Sequence, residues 1–167
     1  MPQVQIDKIQ RVQNAAARPI FKQTKFCHIT PVLSQLHWLP IKYRIEFKIL
    51  LMTFKAIHGM APDYICKLIS RRKSTGYSLR SSKKVMLEVP SGKILPTLGG
   101  RAFCYAAPKL WNNLPSEISR LDSLSSFKCL LKTYLLKQAF NFYFISFLNL
   151  SNSCKFYSFL VFLLNLL

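Results

Sequence analysis

Apolar residues in the stretch 41–58, IKYRIEFKILLMTFKAIH, recur at helical spacing on two sides rather than one. Wound at about 100° per residue, Ile41, Ile45, Ile49, Met52 and Ala56 share one arc. Tyr43, Phe47, Leu50, Phe54 and Ile57 share another, roughly opposite. Two narrow polar seams separate them. Arg44, Lys48 and Lys55 form a basic seam with Leu51 at its edge, and Lys42, Glu46 and Thr53 form the other. A surface helix needs a single apolar stripe, so two stripes predict a central helix with neighbours on both sides. Pro40 stands where a first-turn proline is tolerated, and Gly59 where helices commonly end.

The flanking pattern is also helical. Ile6, Ile9, Val12 and Ala16 give residues 5–18 one apolar stripe, and Pro19 is expected to stop or kink that helix. Thr30 followed by Pro31 reads as an N-cap and first turn, opening a short helix that runs to Trp38. Trp38 is expected to anchor the corner before the central helix, and His37 to bond within the turn. After Gly59, the run Ala61-Pro62-Asp63 opens a helix reaching about Ile69, with Tyr64, Ile65, Leu68 and Ile69 on its apolar face. Further on, Phe103, Ala106, Ala107, Leu110 and Trp111 form a stripe interrupted by Pro108, and Trp111, Leu114 and Pro115 should close that end of the core. No more than one helical turn is expected at 116–119. The last helix, 124–138, buries Leu124, Phe127, Leu131, Tyr134 and Leu135 and carries Lys128, Lys132 and Lys137 along a second basic edge. Its cap is Asp122 or Ser123.

The intervening segment breaks this pattern. Residues 70–84, SRRKSTGYSLRSSKK, hold six cations, five serines and no acid, which is a phosphate-binding composition. Arg71, Arg72 and Lys73 would also serve as a weak nuclear-import patch. Residues 85–95 are expected to form a short β-hairpin, with strands at 85–89 and 93–95 around Pro-Ser-Gly. The fold class is therefore mostly α, a small helical bundle around the helix at 41–58. Its parts are a bundle over 5–69, a basic loop and hairpin over 70–100, C-terminal helices over 101–138 and a separate tail.

Charge sharpens the picture. Lys and Arg number 24 against 6 Asp and Glu, a formal net charge of +18. That excess exceeds any need of solubility and points to a polyanion, nucleic acid first and an anionic membrane second. The residues expected to meet RNA or DNA backbone are Arg44, Lys48 and Lys55 on the central helix and Arg71, Arg72, Lys73, Arg80, Lys83 and Lys84 in the loop. The five cysteines (Cys27, Cys66, Cys104, Cys129 and Cys154) are odd in number, widely spaced and without a CxxC pair. They give no zinc pattern and no disulfide framework, so free thiols in a reducing compartment are expected. Neither a metal, a cofactor nor a small-molecule substrate is indicated, and no apolar secretory segment opens the chain.

Residues 141–167 form a hydrophobic tail in which Lys155 is the only charge. Asn149, Ser151, Asn152 and Ser153 interrupt it, whereas a spanning helix wants about 20 mainly apolar residues. Three readings stay open: translation past a frame disruption, a membrane-associated or spanning helix, and a helix covering an exposed core face.

Several strings now fall into a familiar order: IQRVQNAAARPIF, HITPVLSQLHWLPIKYRIEFKILLMTFKAIHGMAPDYI, YSLRSS, GGRAFCYAAPKLWNNLP and SLSSFKCLLKTYL. Together they resemble the carboxy-terminal region of non-LTR retrotransposon polyproteins (LINE elements of the CR1, jockey and Rex type), downstream of the reverse-transcriptase palm. The resemblance spans about residues 6–140. It implies a thumb-like helical piece that grips template and primer. Polymerisation in that family depends on palm carboxylates, including an Asp-Asp pair. Here the aspartates are Asp7, Asp63 and Asp122, far apart in sequence, so no catalytic residue carries over. Pro19 departs from the aliphatic residue usual in the family's AAR pattern, which suggests a decaying copy. The expectation is a non-catalytic remnant that binds nucleic acid non-specifically. Two alternatives accompany it: a small membrane-anchored basic protein, and a pseudogene-like product without a cellular role.

Overall fold

The computed structural model describes residues 2–72, 85–90, 100 and 102–140. They form a small all-α fold of seven helices: α1 (Gln3–Ile20), α2 (Ile29–Gln35), α3 (Ile41–Ile57), α4 (Asp63–Cys66), α5 (Phe103–Asn112), α6 (Ser116–Ser119) and α7 (Leu124–Phe140). α3 is the hub and packs against α1, α4, α5 and α7, while α2 bridges α1 and α7.

The centre is aromatic. Phe54 of α3 stacks on Phe127 of α7, with ring centroids 4.2 Å apart, and Trp111 of α5 lies 5.9 Å from Phe127. Phe54 and Phe127 are wholly buried and Trp111 is 1 % exposed. Burying each such ring contributes about 1.5–3 kcal/mol, and each ring pair about 0.5–1.5 kcal/mol beyond its area. Val32, Leu33, Leu50, Leu114, Ile118, Leu131, Leu135, Leu136 and Phe140 complete the same core. On α7, Phe127, Leu131 and Leu135 are buried as the spacing predicts, and Leu124 and Tyr134 pack at the margin.

Only one of the two apolar arcs of α3 joins this core. Leu50 and Phe54 are buried, and Tyr43, Phe47 and Ile57 pack beside them. Ile41, Ile45, Ile49, Met52 and Ala56 are half-buried and lie outside the core set. Thr53 is fully buried; its hydroxyl donates to Ile49 O at 2.8 Å, so its polarity is satisfied within the helix.

α1 turns the other way from its expected orientation. Its polar edge faces the body: Gln10 Oε1 accepts from Ile41 N at 2.9 Å, and Gln13 Nε2 donates to Leu39 O at 2.9 Å. Only Ala17 is buried, while Ile9, Val12 and Ile20 are exposed. Pro19 sits in the last turn, where it forgoes the amide bond to Ala15 O, and the helix ends one residue later.

Three helices end in the same way. After α1, α2 and α3, a residue with positive φ follows the C-cap: Lys22 (49°), His37 (53°) and Gly59 (68°). In each, the next amide reaches back to the third-last helical carbonyl: Gln23 N to Arg18 O, Trp38 N to Leu33 O and Met60 N to Lys55 O, at 3.0, 2.9 and 2.8 Å. These are Schellman closures. α2 consequently stops at Gln35, short of Trp38, and begins at Ile29 with His28 at the cap position instead of Thr30. Trp38 is half-buried against the core. α4 is a single turn ending at Cys66, with Tyr64 and Leu68 exposed. α5 continues through Pro108, whose ring is buried in the core; tertiary burial outweighs the lost hydrogen bond.

The segment expected as the first strand of the hairpin makes a longer-range pairing. The segment at 85–89 bridges antiparallel to 70–72: Arg72 N donates to Met86 O at 2.9 Å and Glu88 N to Ser70 O at 2.8 Å. Its intended partner strand, 93–95, lies outside the described residues, as does the tail at 141–167.

Candidate nucleic-acid interface

On α3, the seam of Arg44, Lys48 and Lys55 lies roughly 130° around the helix from the core-facing arc, at about 100° per residue. Lys48 is exposed, and Arg44 and Lys55 are half-buried. Their long apolar stems can therefore lie along the helix surface while the charged ends reach water. At about 1.5 Å rise per residue, the three cations span roughly 16 Å of one helix side. The acid of this helix stands apart from them. Glu46 is on the opposite side, one turn after Lys42; burial raises its carboxyl above the usual range, and Lys42 opposes that rise. Lys42 Nζ lies 5.7 Å from the Tyr43 ring centroid, a cation–π contact.

The two described loop cations differ. Arg71 Nη2 donates to Ile57 O at 2.9 Å, placing its guanidinium at the carbonyl end of α3. This is a structural task, favoured by the helix dipole, which sequence spacing did not reveal. Arg72 is exposed and lines an open depression of about 520 Å³ with Leu87, Glu88, Val89 and Asn112. Lys73, Arg80, Lys83 and Lys84 lie outside the described residues.

The pairing at 70–72 and 85–88 is held to the bundle by α5. Asn112 Oδ1 accepts from Leu87 N at 3.0 Å, and Asn112 Nδ2 donates to Leu87 O at 2.9 Å. Trp111 Nε1 donates to Val85 O at 2.9 Å, and Leu87 is 1 % exposed. The sequence reading missed Asn112. Its only local signal is an amide at a helix end beside a core tryptophan.

Lys128, Lys132 and Lys137 do not form one edge. Lys128 and Lys132 are half-buried on the inward side of α7, whereas Lys137 is exposed on another side. Burial lowers the Lys132 ammonium below the usual lysine range. His37 is lowered too, by burial first and by the charge of Lys132 second.

Among the described residues no group of three His, Cys, Asp or Glu side chains could hold a metal ion. Cys27, Cys66, Cys104 and Cys129 are free thiols. No helix among the described residues is long and apolar enough to cross a membrane. Arg44, Lys48 and Lys55 thus share one side of α3, with Lys48 exposed. No family profile, curated protein or solved structure matches this chain.

Proposed function

We propose that this chain is a non-catalytic remnant of a non-LTR retrotransposon polyprotein that binds RNA or DNA through the sugar–phosphate backbone. The observation that carries the reading is the grouping of Arg44, Lys48 and Lys55 along one side of α3, outside the core set and opposite Glu46. Arg72 adds an exposed cation beside α5, and Lys73, Arg80, Lys83 and Lys84 add charge in the adjoining basic segment. Arg71 contributes by fixing the first foot of that segment to α3 rather than by meeting phosphate. The order of the family-like strings across residues 6–140 supports the origin, and the net charge of +18 supports the partner.

Contacts of this type recognise phosphate and not base edges, so binding is sequence-tolerant and strongly dependent on salt. With about six phosphates neutralised, affinity falls by roughly three decades between 50 and 200 mM salt. Filter binding of a labelled oligonucleotide across that range tests the reading. A steep linear fall of log affinity with log salt supports it, and a flat response refutes it.

A further inference from the structure

Residues 21–28 join α1 to α2, and all eight are exposed. At their tip stands Phe26, 96 % exposed, the most exposed large apolar side chain among the described residues. An aromatic ring normally supplies 150–250 Å² of buried area, so leaving one almost wholly hydrated forfeits a large stabilisation. The backbone beneath it is defined. Gln23 N donates to Arg18 O at 3.0 Å in the closure of α1, and Cys27 N donates to Thr24 O at 3.2 Å, placing Lys25 and Phe26 at the centre of a tight turn. The Thr24 hydroxyl and the Cys27 thiol, 3.3 Å apart, tie the same turn together. The ring is thus projected by structure, and Lys22 and Lys25 are exposed in the same short segment. No acidic residue occurs between Asp7 and Glu46.

We infer that Phe26 is a stacking platform for one unpaired base of a single-stranded nucleic acid, with Lys22 and Lys25 holding the adjoining phosphates. This rests on the backbone-binding reading above and adds the class of strand. Bases inside a duplex already stack on one another, whereas an unpaired base offers a free face to an aromatic ring. The feature suits one base better than a lipid surface. A single exposed ring flanked by Gln23, Thr24, Lys25 and Cys27 buries little apolar area, and even a whole myristoyl chain gives only marginal membrane binding.

The test measures fluorescence anisotropy of the full chain and of Phe26→Ala with labelled oligouridylate and with an RNA duplex of matching length. At 96 % exposure the ring holds no part of the core, so the variant folds. Phe26→Ala is expected to weaken single-strand binding by roughly tenfold to a hundredfold, the range of base–aromatic stacking, and to leave duplex binding and the salt slope unchanged. Phe26→Trp is expected to keep the affinity, with its indole fluorescence quenched on binding. Single-strand affinity within twofold of the parent in Phe26→Ala overturns the proposal while leaving the backbone reading intact, as does an equal loss on both strands. Loss of co-sedimentation with phosphatidylserine vesicles in Phe26→Ala, with strand affinity unchanged, overturns it in favour of a membrane tip. A parent chain that binds no strand in a salt-dependent manner overturns both.

Discussion

α1 and the α3–α5–α7 junction both carry apolar stripes at helical spacing and use them differently, α1 being the more polar helix. At the junction, Phe54, Trp111 and Phe127 are at most 1 % exposed; Phe54 stacks on Phe127, and Trp111 meets Phe127 at a tilt. In α1, eighteen residues long, a single alanine is buried, and two glutamines hold the helix by bonding to the backbone around Pro40. Apolar spacing therefore establishes that a helix has a face, but not which face meets the body. In α1 the α2–α3 corner leaves Leu39 O and Ile41 N to be satisfied, and the polar edge does this. The cost of unpaired backbone outweighs the modest burial offered by Ile9 and Val12.

The contrast can be broken most severely at the junction. Trp111→Ala is expected to destabilise the chain by about 3–5 kcal/mol, because it leaves a cavity against Phe127 and an unpaired Val85 carbonyl. Asn112→Ala should cost roughly 1–3 kcal/mol by stranding both backbone groups of the buried Leu87. Urea unfolding measures both. In α1 the order of importance inverts: Gln10→Ala and Gln13→Ala each cost about 0.5–1.5 kcal/mol, whereas Val12→Ser at the exposed stripe stays within about 0.5 kcal/mol. A larger effect at Val12 than at Gln13 would mean that the stripe, not the glutamines, holds the helix.

A further small effect is expected at the α2 closure. His37 occupies a left-handed position that costs an L residue roughly 1–2 kcal/mol, while glycine carries its own entropic cost and loses the imidazole's bond to the Gln35 backbone, so His37→Gly should change stability by less than about 1 kcal/mol. Its sign with pH is also fixed. The folded state holds His37 below its usual value of 6.5, so the unfolded chain takes up the proton first as the pH falls. The histidine's contribution leaves stability intact above that value and reduces it below. His37→Gly should flatten that acid-side slope in thermal unfolding followed between neutral pH and pH 5.

These contrasts also mark what the sequence made legible. α3 and α7 could be read because their core arcs are long and regular, and the end of α3 because Gly59 announces it. The equivalent closures at Lys22 and His37 were hidden, since neither residue type signals a left-handed turn. α5 ran through Pro108 because burial of the ring decides there, and burial is a tertiary quantity. The partner of 85–89 could not be read locally, as the Asn112 amide that holds it comes from a helix formed later in the chain. On α3, spacing alone placed Arg44, Lys48 and Lys55 on one side of the helix. The capping role of Arg71 depends on a carbonyl fourteen residues away and left no trace in the pattern.

The most direct measurement compares the salt dependence of duplex binding by the parent chain with that of a triple variant, Arg44→Gln, Lys48→Gln and Lys55→Gln. With each phosphate contact worth a slope of about 0.9, the variant's log–log slope should be shallower by roughly 2.7 while its melting temperature holds. Equal slopes for the two proteins would contradict the assignment of α3 as the surface that holds the strand.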